Sequence, residues 1–509
     1  MSSRTSKVAY NSIALYTNMI VTMAVTLLGT RFVLKALGDE DYAIYALIAN
    51  IVALFSFLNI AMAGATQRFL SFSLGENDNK KLKEIFYNSS LIHYGIAAIS
   101  TTMLLSIGIP AISFWLEIPM DAHIKAIFVL IFMAMGIIFI ILSVPYEATM
   151  NAHEDISVIA GINILDACIK LISSVIILCI PYHRLPIYAA LIMCSSLVAF
   201  ICKRRFCRKK YEETHFCWHK VKDFSLTRKM IGYAGWNLIG TGCSIARFQG
   251  VAILLNNFFG LIYNAAYGVA QQINGFLMFF ANSVIRPMRP HIIKSEGSGQ
   301  HDKMIKYANT TSRFTTLMLA AAIIPLYLNM PYILQIWLEE IPTGTTEFCR
   351  GFLVITLIAQ LSIGQQIALE SVGKIKNQHL TVGIMHILPL PAAFILYKYN
   401  FPFYSIIYCI IIEEILCIFV RTYIAHRDAD MPIYPFVIKH IIPSCICIVA
   451  TFYLTMLLTD TISSPIIKLV TGIITSTLVL SLLSWLFCFE KWEKEKIYSL
   501  FKSILYKKL

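Results

Sequence analysis

Fourteen stretches of this chain run for roughly 20 residues each with few or no charges, and that pattern limits the fold more than any other feature. In lipid every backbone N–H and C=O must be satisfied within the spanning segment, so such stretches read as transmembrane helices. They fall near 8–33, 42–66, 85–109, 124–145, 156–181, 185–202, 230–255, 259–285, 313–333, 350–370, 379–397, 402–420, 434–458 and 462–487. Only 14% of the 509 residues are charged, where a soluble globular chain carries about 25%. The first apolar run lacks a basic leader and a small-residue cleavage motif, so no cleavable signal is expected.

Loop charge tests the count, because cytoplasmic loops carry the excess of Lys and Arg. With the N-terminus inside, alternate segments hold 32 of the 42 basic residues, ten of them between Lys203 and Lys229. The intervening segments are acid-rich, with Asp39, Glu40, Asp41, Glu117, Asp121, Glu339, Glu340 and Glu347. A miscounted span would invert this alternation partway along, and no inversion occurs. The expectation is an all-α polytopic membrane protein with both ends cytoplasmic. The net charge of +13 is then a topology signal rather than a nucleic-acid footprint. Nearly all of the thirteen cysteines lie in apolar runs or in one basic loop and read as packing residues. Between Lys491 and Leu509, Ile497, Leu500, Phe501, Ile504 and Leu505 recur at helical spacing among lysines, which predicts an interfacial helix.

Two stretches align at a constant offset of 222: Tyr45–Leu82 with Tyr267–Met304. Tyr45 falls on Tyr267, Phe57 on Phe279, Gly75 on Gly297 and Lys81 on Lys303, and each stretch follows a span that ends in glycine. Spans 2 and 8 run the same way, so the halves read as parallel repeats, the plan of many transporters. The expected organisation is an N-lobe at 1–202, a basic linker at 203–229 and a C-lobe at 230–425. Two added spans follow at 426–487, then a tail at 488–509.

Polar residues inside the spans mark helix faces that meet other helices or water. Span 8 places Asn264, Tyr267, Gln271, Asn274, Met278 and Asn282 on one face. Span 7 has Asn237, Thr241 and Ser244 with Arg247 one turn further, and span 1 has Asn11, Asn18 and Thr22. Interhelical hydrogen bonding explains any one of these residues. A whole stripe on repeat-equivalent spans points to a wet cavity that suits a carbohydrate. Arg31 and Arg247 lie in the outer part of the first span of each half, where two guanidinium groups can grip a phosphate or snorkel to headgroups. Arg68, Arg286 and Arg289 end spans 2 and 8 on the inner side, as entry contacts or as topology anchors. Asp166 and Lys170, four apart, read first as a self-neutralising pair and second as coupling groups. Glu413 and Glu414 are ion-pair or coupling candidates, with Lys439 and Lys468 in the last two spans. No Walker motif or nucleophile elbow occurs. The loop residues Cys202, Cys207, His215, Cys217 and His219 match no standard zinc spacing. Neither catalytic residue, cofactor nor metal is expected.

The segment "TRFVLKALGDEDYAIYALIANIVALFSFLNIAMAGATQRFLS" resembles the start of polysaccharide-biosynthesis flippases. These are the O-antigen, or Wzx-type, oligosaccharide-lipid branch of the multidrug/oligosaccharidyl-lipid/polysaccharide exporter superfamily. "VPYEATMNAHED" is similar to the family's turn after span 4, and "YNAAYGVAQQINGFLMFFANSVIRPMRP" to its span 8. The resemblance implies flipping of undecaprenyl-pyrophosphate-linked oligosaccharide units from the inner to the outer leaflet of a bacterial cytoplasmic membrane, for lipopolysaccharide or capsule synthesis. Polysaccharide polymerase and chain-length machinery would be its partners. Arg31 and Arg247 would then hold the diphosphate. The chain departs from the family at Arg247, which argues against cation coupling at that point. Two other functions fit the plan: a cation-coupled multidrug exporter of the same superfamily, and a membrane-embedded polymerase or ligase. The latter would need a large outer loop, and the outer loops here are short.

Overall fold

A computed structural model describes residues 2–53, 56–115, 119–215, 224–338, 341–495 and 498, with the side chains of 2–13 and 53–61 among those left aside. The described residues are helical, with no strand among them. The elements are α1 (Ser2–Ala53), α2 (Ser56–Glu76), α3 (Asn79–Pro110), α4 (His123–Ala152), α5 (Ile156–Cys179) and α6 (Arg184–Lys210). They continue with α7 (Phe224–Phe259), α8 (Leu261–Gly297), α9 (His301–Leu328), α10 (Met330–Trp337), α11 (Thr345–Gln360) and α12 (Ile363–Val372). Last come α13 (Lys376–Ile387), α14 (Pro389–Lys398), α15 (Ser405–Ala429), α16 (Ile433–Phe436), α17 (Ile442–Asp460) and α18 (Pro465–Leu483).

The described residues of each of the fourteen apolar stretches are mainly helical, and the chain is an all-α multi-pass membrane protein. Nine helices among the described residues are long and apolar enough to cross a bilayer, and α11 with α12, bent by 43°, makes a tenth. The shortfall from fourteen has a local cause. Every 18-residue window of α15 contains Glu413, Glu414 and Arg421, α8 carries its amide stripe, and spans 1 and 2 border residues outside the description. α13 and α14 together make one of the nine, Lys376–Lys398, with Pro389 at their junction.

Local geometry repeats at the offset found in the sequence. α1 is broken at Gly38 (φ 74°, ψ 176°), and Gly260 caps α8 with nearly the same angles (φ 86°, ψ −174°). This region of backbone space is open almost only to glycine, so the "LGDEDY" and "FGLIY" turns share one solution. The next turn repeats as well. Asn77 and Gly299 are left-handed, and α3 and α9 start two residues after them. Asn77 N–H donates to Leu74 O and Asp78 N–H to Ser73 O; Gly299 N–H donates to Glu296 O and Gln300 N–H to Ser295 O.

The chain divides into two compact units, Ala9–Leu238 and Ile239–Leu509 with Met1–Val8. The division falls inside α7, and the expected linker at 203–229 lies within the Ala9–Leu238 unit. Part of that linker is also helix: Lys203 lies buried in α6 with its Nζ 2.7 Å from Glu147. The core of the first unit centres on α4 with α1, α3 and α6, and that of the second on α8, α9, α11 and α15. α18 packs on α9 and α17, so the last two spans belong to the second unit. Arg313 and Glu493, both buried, form an ion pair that fastens the segment after α18 to α9. Glu117, Glu339, Glu340 and the apolar tail positions from Ile497 onward lie outside the described residues.

Candidate functional site

Within the Ala9–Leu238 unit, α1, α5 and α6 enclose a cavity of about 500 Å³, within the range of roughly 300–1,000 Å³ that ligand pockets occupy. One face of α1 supplies Asn18, Thr22, Val25, Gly29 and Val33 at steps of three and four. Past the break at Gly38, Tyr42 and Tyr45 join them. α5 adds Asn163, Asp166 and Lys170, and α6 adds Tyr188 and Ile192. Lys170 Nζ lies 2.7 Å from Asp166 Oδ2, and Asp166 Oδ1 is buried with no hydrogen-bond partner. Thr22 Oγ1 donates to Asn18 Oδ1 at 3.3 Å. The ring of Tyr45 meets that of Tyr188 at 5.1 Å. The lining is therefore rich in hydroxyls and amides, with one ion pair that cancels its own charge.

Arg31 is exposed and absent from this lining. Gly29 and Val33 face the cavity, so at about 100° per residue Arg31 lies on the opposite face of α1. The side chain of Asn11 is outside the description. Arg68 is half-buried, its guanidinium over the rings of Phe72 at 4.7 Å, Phe69 at 5.0 Å and Tyr233 at 5.8 Å. Asn237 packs close to the backbone of Gly64.

A different arrangement fills the Ile239–Leu509 unit. Arg247 of α7 is buried with Nη1 2.6 Å from Glu413 Oε2 and 2.9 Å from Glu414 Oε1. Arg247 is a diphosphate candidate by sequence. The structure places it between two carboxylates from α15, whose desolvation in lipid demands a counter-charge. His386 at the end of α13 lies 2.8 Å from Glu413 Oε1 through Nδ1, and Cys417 Sγ approaches the same oxygen at 2.8 Å. Glycine lets α7 and α13 approach closely one to two turns earlier, since a Cβ on Gly240 would sit 2.1 Å from His379 Nδ1. Lys468 turns to Asp460 at 3.6 Å rather than to the glutamates.

Three of the six α8 stripe residues bond to neighbouring helices. Tyr267 Oη donates to Phe248 O at 3.3 Å, Thr356 Oγ1 donates to Asn274 Oδ1 at 2.7 Å, and Gln360 reaches Met278 Sδ at 3.7 Å. Ser244 bonds back to Gly240 O at 3.2 Å, Thr241 and Gln271 are half-buried, and Asn264 is half-buried near the start of α8. Arg289 lies 3.5 Å from Glu370, and Arg286 is exposed.

A third cluster ties α4, α5 and α6 together beyond the spans. His153 Nε2 is 2.6 Å from Glu213 Oε1 and its ring stacks on Tyr211 at 4.1 Å. Asp155 accepts from Tyr211 and Lys210. Burial would raise the Glu213 carboxyl, but the hydrogen bond with His153 and nearby positive charge outweigh it and leave the carboxyl below its ordinary value. Cys207 is a buried packing residue against Tyr146 O, while Cys217 and His219 lie outside the description.

No protein-family model matches the chain, and no curated protein matches it. Solved structures do match, at full-length scale. A MATE transporter in complex with MaD5 superposes with a TM-score of 0.73 at 13% identity, covering 84% of this chain and 96% of that one. An outward-facing multidrug resistance MATE family transporter of the MOP superfamily gives 0.70 at 13% identity over the same shares. A MOP superfamily transporter from Pyrococcus furiosus gives 0.72 at 13% identity, also over 84% and 96%. Its description holds that the reversed polarity of its binding pocket suggests a different function. At this identity the likeness establishes architecture: the chain has the fold of the MATE transporters.

Proposed function

From the MATE fold and the cavity in its first unit, we propose that this chain is a membrane transporter whose cargo carries a hydroxyl-rich headgroup, a lipid-linked oligosaccharide moved by alternating access. The observation that carries this reading is the cavity lining: three tyrosine rings, two amides, a threonine and the Asp166–Lys170 pair, with no net charge. Tyrosine offers a sugar both a flat apolar face and a hydroxyl. Arg31, on the face of α1 away from this cavity, would meet the diphosphate only outside it, and Arg286 is a second exposed candidate at the inner end of span 8. Arg247 holds Glu413 and Glu414 instead, while Arg68 and Arg289 have aromatic and acidic neighbours of their own. Two negative charges moving outward across an inside-negative membrane gain about 5 kcal/mol per 100 mV, a drive that needs no ATP.

A second reading, a cation-coupled multidrug exporter, has the support of the solved structures that share the fold. Under it Asp166, Glu413 and Glu414 become coupling groups and Lys170 must leave Asp166 for a cationic drug to bind. A deletion strain separates the two. Trapped lipid-linked repeat units on the inner leaflet and lost surface polysaccharide, restored by the wild type but not by Tyr188→Ala or Asn163→Ala, support the flippase. Intact polysaccharide with new sensitivity to cationic drugs overturns it in favour of the exporter.

A further inference from the structure

We propose that His386, Glu413 and Cys417 form a binding site for a thiophilic divalent cation of the zinc type, clamping α13 to α15. The three ligand atoms, His386 Nδ1, Glu413 Oε1 and Cys417 Sγ, all lie within 4.8 Å of one another. Glu413 Oε1 is the hub, 2.8 Å from each of the others. Imidazole, carboxylate and thiolate together are the ligands of zinc sites, and three protein ligands with one open position is the arrangement of zinc centres that also bind water.

The surroundings suit a cation as well as the ligands do. Glu413 and Cys417 are one turn apart on α15, so helix geometry alone holds two of the donors on one face. Glu413 Oε2 is fixed by Arg247, an outer-shell contact of the kind that orients a metal-binding carboxylate. Glu414 shares the same guanidinium and offsets its charge. Counting Arg247 as +1, Glu413 and Glu414 as −1 each, a Cys417 thiolate as −1 and the metal as +2, the cluster sums to zero. That balance matters because Arg247, Glu413, Glu414 and Cys417 are all buried. On binding, the Cys417 S–H bond breaks, its proton leaves to water and the sulfur lone pair bonds the metal. His386 coordinates through Nδ1 with its proton on Nε2, and Glu413 turns Oε1 from accepting hydrogen bonds to coordinating. No oxidant or reductant is involved.

Nothing in the sequence spacing announces this site, because His386 and Glu413 are 27 residues apart and on different helices. It is independent of the cargo and separate from the loop cysteines around Cys207.

The test uses the full-length protein in lipid nanodiscs, titrated with Co²⁺ and Zn²⁺. A thiolate-to-cobalt charge-transfer band is expected, along with a metal-dependent rise in Tm. Cys417→Ser should abolish the band. His386→Gln should weaken Zn²⁺ binding by about tenfold or more. A variant with Cys202, Cys207 and Cys217 replaced by serine should keep both signals. Should Cys417→Ser fail to fold, Cys417→Ala and His386→Gln carry the same readout. Absence of the band in wild type, or a band that survives loss of Cys417, overturns the proposal. Transport is not read in this experiment, so its outcome is separate from that of the cargo assay.

Discussion

The two halves of the repeat put the same three helices to opposite ends. In the first half α1, α5 and α6 enclose a cavity; in the second, α7, α13 and α15 close on buried charge. At the offset of 222, the cavity-lining stripe Asn18, Thr22, Val25, Gly29 and Val33 becomes Gly240, Ser244, Arg247, Val251 and Leu255. Three of the changes add bulk, at Arg247, Val251 and Leu255, and two remove it, at Gly240 and Ser244. Gly240 admits His379, Val251 and Leu255 are fully buried, and Arg247 brings Glu413 and Glu414 with it. A duplicated unit thus keeps its backbone turns while one copy holds an open polar cavity and the other a filled ionic one.

Arg247→Val, which copies the first-half residue, gives the largest expected effect. It strands two buried carboxylates and should destabilise by about 3–5 kcal/mol, read as Tm in detergent. Adding Glu413→Gln and Glu414→Gln should recover much of that loss. A mild single mutant would mean that the second half is not held closed by charge. Gly38→Ala and Gly260→Ala come next, each expected to cost about 1–3 kcal/mol because both demand a backbone region that alanine avoids. Unequal losses would break the equivalence of the two turns.

Glu213→Gln should cost about 1 kcal/mol at neutral pH by weakening the bond with His153. The sign follows from the depressed carboxyl: its stabilisation is complete above the ordinary value of 4.5 and fades as pH falls through the folded-state value. The mutant's deficit should therefore shrink in acid, measured by unfolding across pH. Asp166→Asn should move stability least, about 0.2–0.5 kcal/mol for an i, i+4 pair, while transport falls sharply. Unchanged transport would remove the first-half cavity from the mechanism.

Much of this was legible in the sequence because lipid leaves few options. Span number, helix class and repeat follow from runs of apolar residues, loop charge and two glycines, each a local signal. The cavity stripe on span 1 was partly legible as well, since Asn18 and Thr22 stand out against an apolar helix. Three features were not. The face that Arg31 presents depends on which side of α1 meets α5 and α6. The role of Arg247 depends on Glu413 and Glu414, which lie 166 and 167 residues away in the chain. Tyr267 and Asn274 of α8 bond to α7 and α11, so part of a stripe resembling a cavity wall is interhelical hydrogen bonding. Sequence alone determined that the chain crosses the membrane many times in two related halves, because periodicity and burial cost act residue by residue. Only the tertiary structure decided which polar faces meet water and which meet each other, because pairing in a low-dielectric interior is a property of neighbours in space.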